Sequence, residues 1–342
     1  MHRIAHGALM AVLAVASLGA SAAELQAYAG AVGGIAQGSG APFACATSGP
    51  TIGNGWFAGV AIPLEGFTAC SLAGGIVNNT AASGPQTATQ SVTAGVTGGS
   101  FTGSASATAD YGRLGVAANG TMTGATSSST YHQTAGFARF QDTLTLTRDG
   151  IATGTTGSVD FAFLISGLMS GLPNAPFTQQ GDIALGIRVG TGVGNPGRAP
   201  WYSFQGTVVN DGTPYLRGGS TGIPGNFVLS PGNFAGSAEV LSTANFDIQW
   251  GVPFEIEVAF LTTVYPCCNG ATIVSDFSHT AVLSGITARA GGAEISDFSV
   301  LSASGTAYGP DGVLAVPEPG SAALLLGGGA LLLAWRRRAR AG

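Results

Sequence analysis

Charged residues are scarce in this 342-residue chain, and lysine is absent altogether. Only 8% of the residues are charged, whereas about 25% is usual for a globular domain. Five of the twelve arginines lie near the two ends, which leaves seven arginines against sixteen acids between residues 24 and 316. A nucleic-acid-binding surface needs clustered basic residues to neutralise phosphates. The composition therefore excludes nucleic acid as a partner.

Low charge does not make the chain disordered. Disordered segments combine low hydrophobicity with high net charge, whereas 45% of these residues are hydrophobic and the net charge is −5. The 56 glycines are spread along the chain rather than collected in one linker. We therefore expect a folded body.

The first residues have the order of zones that secretion requires. Arg3 precedes an apolar stretch from Ala8 to Leu18, and the small residues Ala20 to Ala23 follow it. This pattern predicts a signal peptide at residues 1–23, cut after Ala22 or Ala23, with the Sec translocon and signal peptidase as partners. Export also places the cysteines in an oxidising compartment.

A second apolar segment lies near the C-terminus. Residues 320–335 are predicted to form a single transmembrane helix. Its fifteen residues from Ser321 to Trp335 are uncharged and span roughly 22 Å, less than the ~30 Å of a bilayer core. Basic residues that follow it should stay cytoplasmic, which places the body in the periplasm. These basic residues are Arg336, Arg337, Arg338 and Arg340.

Pro317, Glu318 and Pro319 stand directly before this helix. The two prolines favour an extended segment, which suits a protease cleft. Together with the apolar helix and the arginines, they make residues 313–342 resemble the PEP-CTERM sorting signal. The resemblance implies that an exosortase recognises the motif, removes the tail and passes the body from an inner-membrane intermediate to the cell surface or extracellular matrix. The alternative is a permanent anchor, in which case the tail survives.

The body alternates apolar and polar residues at several places, as half-buried strands do. We therefore predict an all-β fold, an antiparallel β-sandwich or jelly-roll-like domain over residues 24–312, with a less regular N-terminal third. Asn119-Gly120 and Asp149-Gly150 are interpreted as hairpin turns. The apolar positions of the clearest strands are Phe140, Leu144 and Leu146; Val159, Phe161, Phe163 and Ile165; Ile183, Leu185, Ile187 and Val189; Phe246, Ile248 and Trp250; Phe254, Ile256, Val258 and Phe260.

Four cysteines are candidates for disulfides. Cys45 and Cys70 lie 25 residues apart in the turn-rich N-terminal third, where a crosslink would restrain a loop, so we favour this pair. Cys267 and Cys268 are adjacent, and a bridge between neighbours is strained. Crossed pairing between the two groups stays open. A zinc site is disfavoured because no C-x-x-C spacing is present, and we predict no metal and no cofactor.

No catalytic constellation stands out. Asp276, Ser278 and His279 supply the residue types of a triad, but no nucleophile elbow surrounds them, and we interpret them as strand-end polar residues. Glu255 and Glu257 lie about 6.7 Å apart on one strand face, which we interpret as solvated. We therefore expect no enzymatic activity.

Three further features have modest interpretations. The stretch Gly190–Gly197 is expected to be a loop, since nearby prolines prevent a phosphate-binding helix. His132 has no metal-ligand spacing to a partner. Trp56 and Trp201 are the candidates for stacking on sugar rings.

The sequence thus predicts an exported, non-enzymatic surface or matrix protein that contacts exopolysaccharide or biofilm through a hydroxyl-rich, nearly charge-free sheet surface. The alternative is a secreted carbohydrate-active hydrolase or glycan-binding module that uses the same sorting route. An acid-lined groove would favour the hydrolase.

Overall fold

The computed structural model describes residues 23–35, 71–96, 98–124, 130–171, 179–190, 202–209, 213–216, 227–230, 233–241, 246–266 and 270–314. Every regular element in these ranges is a β-strand, and the strands form two antiparallel sheets that pack face to face. The predicted all-β, sandwich-like fold is confirmed. None of the described residues belongs to a helix that could span a membrane. The predicted signal peptide and the helix 320–335 lie outside these ranges.

The first sheet, sheet A, has ten described strands. Their order is β10-β9-β8-β14-β6-β17-β18-β19, and β1 pairs with both β6 and β2. The long central strand β6 therefore joins the N-terminal strand to the C-terminal hairpins. The bounds are β1 Glu24–Ile35, β2 Ser71–Ala81, β6 Thr130–Thr147, β8 Gln179–Gly190, β9 Tyr202–Val209, β10 Thr213–Leu216, β14 Phe254–Pro266, β17 Ser299–Ser302, β18 Tyr308–Gly309 and β19 Gly312–Val313.

The second sheet, sheet B, has nine described strands. Their order is β11-β12-β7-β15-β5-β4-β3, with β13 beside β7 and β16 beside β15. Three consecutive strands, β3 to β5, form a meander at one end of this sheet. The bounds are β3 Gln86–Val96, β4 Gly99–Asp110, β5 Arg113–Gly124, β7 Thr156–Ser170, β11 Val228–Ser230, β12 Asn233–Leu241, β13 Phe246–Gln249, β15 Thr272–Ala290 and β16 Ala293–Ile295.

The core lies between the sheets and consists of the predicted apolar positions. Phe140 and Leu144 of β6 are fully buried, as are Phe161 and Phe163 of β7, while Thr147 is exposed. Among the alternating positions predicted from the sequence, Val189 is partly buried and the rest are buried. Asp149-Gly150 forms the predicted turn between β6 and β7. Alternation alone therefore placed these strands correctly.

Two expectations about the N-terminal third are wrong. The described residues there form long, regular strands rather than irregular structure. Asn119-Gly120 lies inside β5, and the β4–β5 turn is made by Tyr111 and Gly112 instead. Gly120 is a close-approach residue, because a Cβ atom there would lie 2.9 Å from Pro266 Cγ and 3.1 Å from Phe101 Cε2.

Small residues bring the two sheets unusually close at this end. Stacked sheets normally lie about 10 Å apart. Here Cα atoms of β1 and β3 approach within 8 Å across the sandwich. Gly136 of β6 faces sheet B, where a Cβ atom would overlap the carbonyl oxygen of Ser106 and lie 3.0 Å from that of Ala117. The glycine and alanine content of the chain thus has a packing role.

Replacing Gly136 by alanine should therefore destabilise the sandwich by about 1–3 kcal/mol, because the added methyl group forces the backbones of β4 and β5 away. The measurement is urea-induced unfolding followed by tryptophan fluorescence. Gly95→Ala is the matched control, since Gly95 also lies in a strand and nothing stands within 4 Å of its Cβ position. Equal stability of the two variants would contradict close sheet packing.

Candidate functional site

The outer face of sheet A is buried around its central strands. Tyr28, Phe137 and Leu261 point away from the sandwich core, and none of the three is exposed to solvent. They lie side by side on β1, β6 and β14 because Tyr28 and Leu261 both pair with Phe137. This part of the sheet is therefore not open to a ligand.

A row of alternating charges crosses the same face and runs from the exposed margin at Glu24 to the buried Glu257. Arg139 Nη2 lies 2.7 Å from Glu24 Oε1, and Arg139 Nη1 lies 2.9 Å from Glu257 Oε1. Arg188 Nη1 lies 3.7 Å from Glu257 Oε2. The row joins β1, β6, β14 and β8, so it links four neighbouring strands of sheet A.

The expectation that Glu255 and Glu257 lie on a solvated face is wrong. Both side chains are buried, with 3% and 4% of their surface exposed. Alternation correctly placed them on the face opposite the core, but that face is itself covered at β14. Glu257 is held by two arginines, which gives it a structural role.

Asp276 and Ser278 contact each other directly. Ser278 Oγ donates to Asp276 Oδ1 at 2.7 Å, and the Ser278 backbone N–H donates to the same oxygen at 3.1 Å. In a Ser-His-Asp triad the histidine stands between these groups. Asp276 and Ser278 lie within β15, beside a register shift. The prediction that they stand at a strand end is therefore wrong. The His279 side chain lies outside the described part.

Asp142 forms a buried polar cluster that the sequence did not reveal. Its Oδ1 accepts hydrogen bonds from the backbone N–H groups of Thr143 and Ser304, at 2.8 and 3.0 Å. Its Oδ2 accepts from the hydroxyls of Ser302, Ser304 and Tyr308, at 2.8, 2.6 and 3.1 Å. Burial and the Asp142 carboxylate raise the pKa of Tyr308. The cluster fastens the C-terminal hairpins to β6.

His132 is a core residue. Its ring stacks on Tyr265 with the centroids 4.6 Å apart and lies 5.4 Å from Phe101. Neither ring nitrogen hydrogen-bonds to a described residue. Burial lowers the pKa of His132 to about 4. The nearby Pro266 carbonyl raises the pKa, but only in part, because it does not form a well-aligned hydrogen bond with the ring. In the described ranges no group of three or more His, Cys, Asp or Glu residues is placed to hold a metal.

The outer face of β3, β4 and β5 has a different character, since its side chains are exposed or half-buried and many of them carry hydroxyl groups. We call this surface the hydroxyl face. Aligned strands place its side chains in rows; for example, Thr93 pairs with Thr102, which pairs with Thr121. Its members are Thr87, Thr89, Ser91 and Thr93 of β3, Ser100, Thr102, Ser104, Ser106 and Thr108 of β4, and Asn119, Thr121 and Thr123 of β5.

A shallow depression of about 340 Å³ lies in the middle of the hydroxyl face. Thr89, Ser91, Ser104, Ser106 and Asn119 line it, and Ala117 leaves room because its side chain is short. Asn119 Nδ2 donates to Ser104 Oγ at 2.6 Å, which fixes both side chains. The depression therefore offers positioned hydroxyl and amide groups.

Charge is confined to the margin of this surface. Asp110 and Arg113 stand at the β4–β5 turn, and Asp276 stands on the neighbouring strand β15. No outward side chain between Gln86 and Val96 or between Gly99 and Ala109 is charged. Hydroxyl groups both donate and accept hydrogen bonds, so the surface suits a ligand that does the same.

The remaining residues predicted from the sequence lie outside the described part. They are Cys45, Cys70, Cys267 and Cys268, Trp56 and Trp201, Pro317, Glu318 and Pro319, and the four C-terminal arginines. The proposed disulfides and stacking aromatics therefore stay predictions. Of the loop Gly190–Gly197, Gly190 alone is described, as the last residue of β8.

A comparison with protein-family models decides the nature of the tail. Residues 315–338 match the family described as the PEP-CTERM protein-sorting motif. The chain carries a PEP-CTERM sorting motif. No curated protein and no solved structure shows significant similarity to the chain.

With this motif, the protein is exported toward the cell surface by way of a membrane intermediate and is processed by an exosortase. The matched residues begin one position after Leu314, the last residue that the structure describes in the sandwich. The sorting signal thus follows the folded body with no long linker.

Sequence reasoning anticipated a hydroxyl-rich sheet surface but did not locate it. The signal was present in β3, whose sequence QTATQSVTAGV places Thr, Thr, Ser and Thr at every second position. Their partners on β4 and β5 became clear only from the strand register.

Glu257→Gln should lower the free energy of unfolding by roughly 2–4 kcal/mol, because it leaves Arg139 and Arg188 without their shared carboxylate. Urea denaturation measures the change. Glu294→Gln is the control, since Glu294 is exposed in β16. A loss no larger than that of the control would show that the charge row does not stabilise sheet A.

His132 makes stability depend on pH in a definite direction. Its pKa is about 4 in the folded chain and 6.5 as the reference for the unfolded chain, so the unfolded chain binds more protons between these values. Stability should fall as the pH drops from about 6.5 to about 4, by up to roughly 3 kcal/mol.

His132→Phe keeps an aromatic ring in place and removes the titration. Urea denaturation of both proteins at a series of pH values measures the effect. Because the same Asp and Glu residues titrate in both proteins, their contribution cancels in the difference. Above pH 6.5 the difference in unfolding free energy between the two proteins should be constant. Below pH 6.5 the wild type should lose more stability than His132→Phe. Parallel curves would contradict the role of His132.

Proposed function

We propose that the body is a non-enzymatic surface or matrix protein that binds exopolysaccharide through the hydroxyl face. The observation that carries this proposal is the charge-free array of exposed and half-buried Ser, Thr and Asn side chains on β3, β4 and β5. The central outer face of sheet A is buried. Within the described residues, sheet B thus offers the broad open surface.

The chemistry of the array matches a polysaccharide. Sugar hydroxyls donate and accept hydrogen bonds, as do Ser and Thr side chains. Strands lie about 4.8 Å apart and alternate residues about 6.7 Å apart, so the face presents a regular grid to a regular polymer. Single contacts of this kind are weak, but a polymer engages many of them at once, which raises the overall affinity.

The delivery route suits this role. We infer that the Sec translocon exports the chain, that the body stands in the periplasm while the tail holds it to the inner membrane, and that exosortase cleavage near Pro317–Pro319 sends it to the matrix. A protein without lysine and with few other charges gains little from electrostatic attraction to its surroundings. Hydrogen bonding through the hydroxyl face then supplies the attachment.

The hydrolase alternative has less support. The one close carboxylate pair on a strand, Glu255 and Glu257, is buried on sheet A, and Glu257 is paired with arginines. No described groove brings these acids to solvent.

The test is binding of the mature protein, recovered from its native host, to purified exopolysaccharide of that host. Ser91→Val, Thr102→Val and Ser104→Val together remove three hydroxyls from the face while keeping residues that favour strands. At about 1 kcal/mol per hydrogen bond, loss of two or three bonds should weaken binding by at least about tenfold. Co-sedimentation of protein with polysaccharide measures it.

The matched control replaces three hydroxyl residues away from the face, Thr147→Val, Thr156→Val and Ser299→Val, which are all exposed. It should bind as the wild type does. Equal binding by both triple variants, with thermal stability retained, would overturn the assignment to the hydroxyl face. Release of reducing sugars by the wild type would favour the hydrolase.

A further inference from the structure

Strand β3 is the last described strand of sheet B, and only one of its edges pairs with another described strand. All eleven of its residues pair with β4 on one side, from Gln86↔Ala109 to Val96↔Gly99. No described strand pairs with its other side. The backbone N–H and C=O groups along that side form a template for another strand.

Proteins normally protect such an edge, and β3 lacks the usual protection. Edge strands tend to be short, or to carry charged residues, proline or a bulge. β3 has eleven residues, none charged and none proline, and its register with β4 is unbroken. The other end of sheet B is the three-residue strand β11, and sheet A ends at the four-residue strand β10, which contains Pro214.

The remaining long edge belongs to β2, and its backbone is interrupted. Gly74 lies within β2 with a φ angle of +90°, outside extended geometry. Asn79 of β2 also caps the start of β3, since its Nδ2 donates to the Thr87 carbonyl oxygen at 2.7 Å. The template proposed on β3 is therefore its backbone from Thr89 to Val96. β3 is therefore the long, regular edge among the described strands.

From these observations we propose that β3 pairs antiparallel with β3 of a second copy of the chain, forming a two-fold dimer through a continuous sheet B. A two-fold axis perpendicular to the sheet keeps the odd-numbered residues of both copies on the same side. With Ser91 on the axis, Thr89 of one copy stands opposite Thr93 of the other. Cross-strand threonine pairs of this kind stabilise sheets.

A second copy fits this edge better than a foreign strand does. The alternating hydroxyls of β3 complement themselves in the two-fold arrangement, and no charge on either strand opposes the other. Pairing also joins two hydroxyl faces into one continuous surface. The dimer does not depend on polysaccharide binding, so each proposal is tested without the other.

The test is analytical ultracentrifugation of the mature protein without polysaccharide. Thr89→Lys together with Thr93→Lys would place like charges directly opposite each other across the two-fold axis, so the dimer dissociation constant should rise at least about tenfold. Thr102→Lys with Thr108→Lys is the matched control, since both threonines are exposed on β4, one strand inward. It should dimerise as the wild type does.

A charge-reversed variant guards against misfolding as the explanation. Thr89→Glu with Thr93→Glu should also be monomeric alone, yet an equal mixture with the lysine variant should form the mixed dimer. Wild-type protein that stays monomeric at about 100 μM, a concentration at which weak complexes form, would overturn the proposal. A dimer that neither β3 variant disturbs would overturn it too, since another surface would then join the copies.

Discussion

The close contact of two sheets through small side chains is the constraint on which the rest of this structure depends. Around Gly136 the carbonyl oxygens of Ser106 and Ala117 stand where a methyl group would be. The inward positions of β4 and β5 nearest this contact accordingly hold the small residues Ala105, Ala107 and Ala118, while the larger Phe101 and Met122 lie farther along the strands. Since alternation then leaves Ser and Thr for the outward positions, the same composition that permits close packing also produces the hydroxyl face.

Two acidic residues of the sandwich, Glu257 and Asp142, serve its internal order. Glu257 is held between Arg139 and Arg188 under the covered side of sheet A. Asp142 is buried where the C-terminal hairpins meet β6, and it accepts five hydrogen bonds there. Buried charges of this kind must be fully paired or solvated by donors to be tolerated. The outward side chains of β3, and those of β4 up to Ala109, are uncharged, which suits neutral ligands.

The sequence predicted what depends on local alternation and failed where distant contacts decide. Phe161 and Phe163 could be assigned to the core because every second residue of β7 is apolar. Asn119-Gly120 misled, because its glycine accommodates Phe101 and Pro266 rather than a turn. The burial of Glu255 could not be predicted, since it depends on what covers the outer face of sheet A. The sorting motif needed no fold at all, because an enzyme reads it as a linear segment.

The position of the sorting motif constrains how the body is handled. Two residues separate Leu314 from Pro317, so the motif lies at most about 11 Å from the sandwich even when the chain is fully extended. The Leu314 N–H donates to the Ala307 carbonyl, and the Ile286 N–H donates to that of Pro310, which holds the last described residues against the fold. An exosortase must therefore act beside a folded sheet. The sorting motif and the last hydrogen-bonded residues of the sandwich are thus only a few residues apart along the chain.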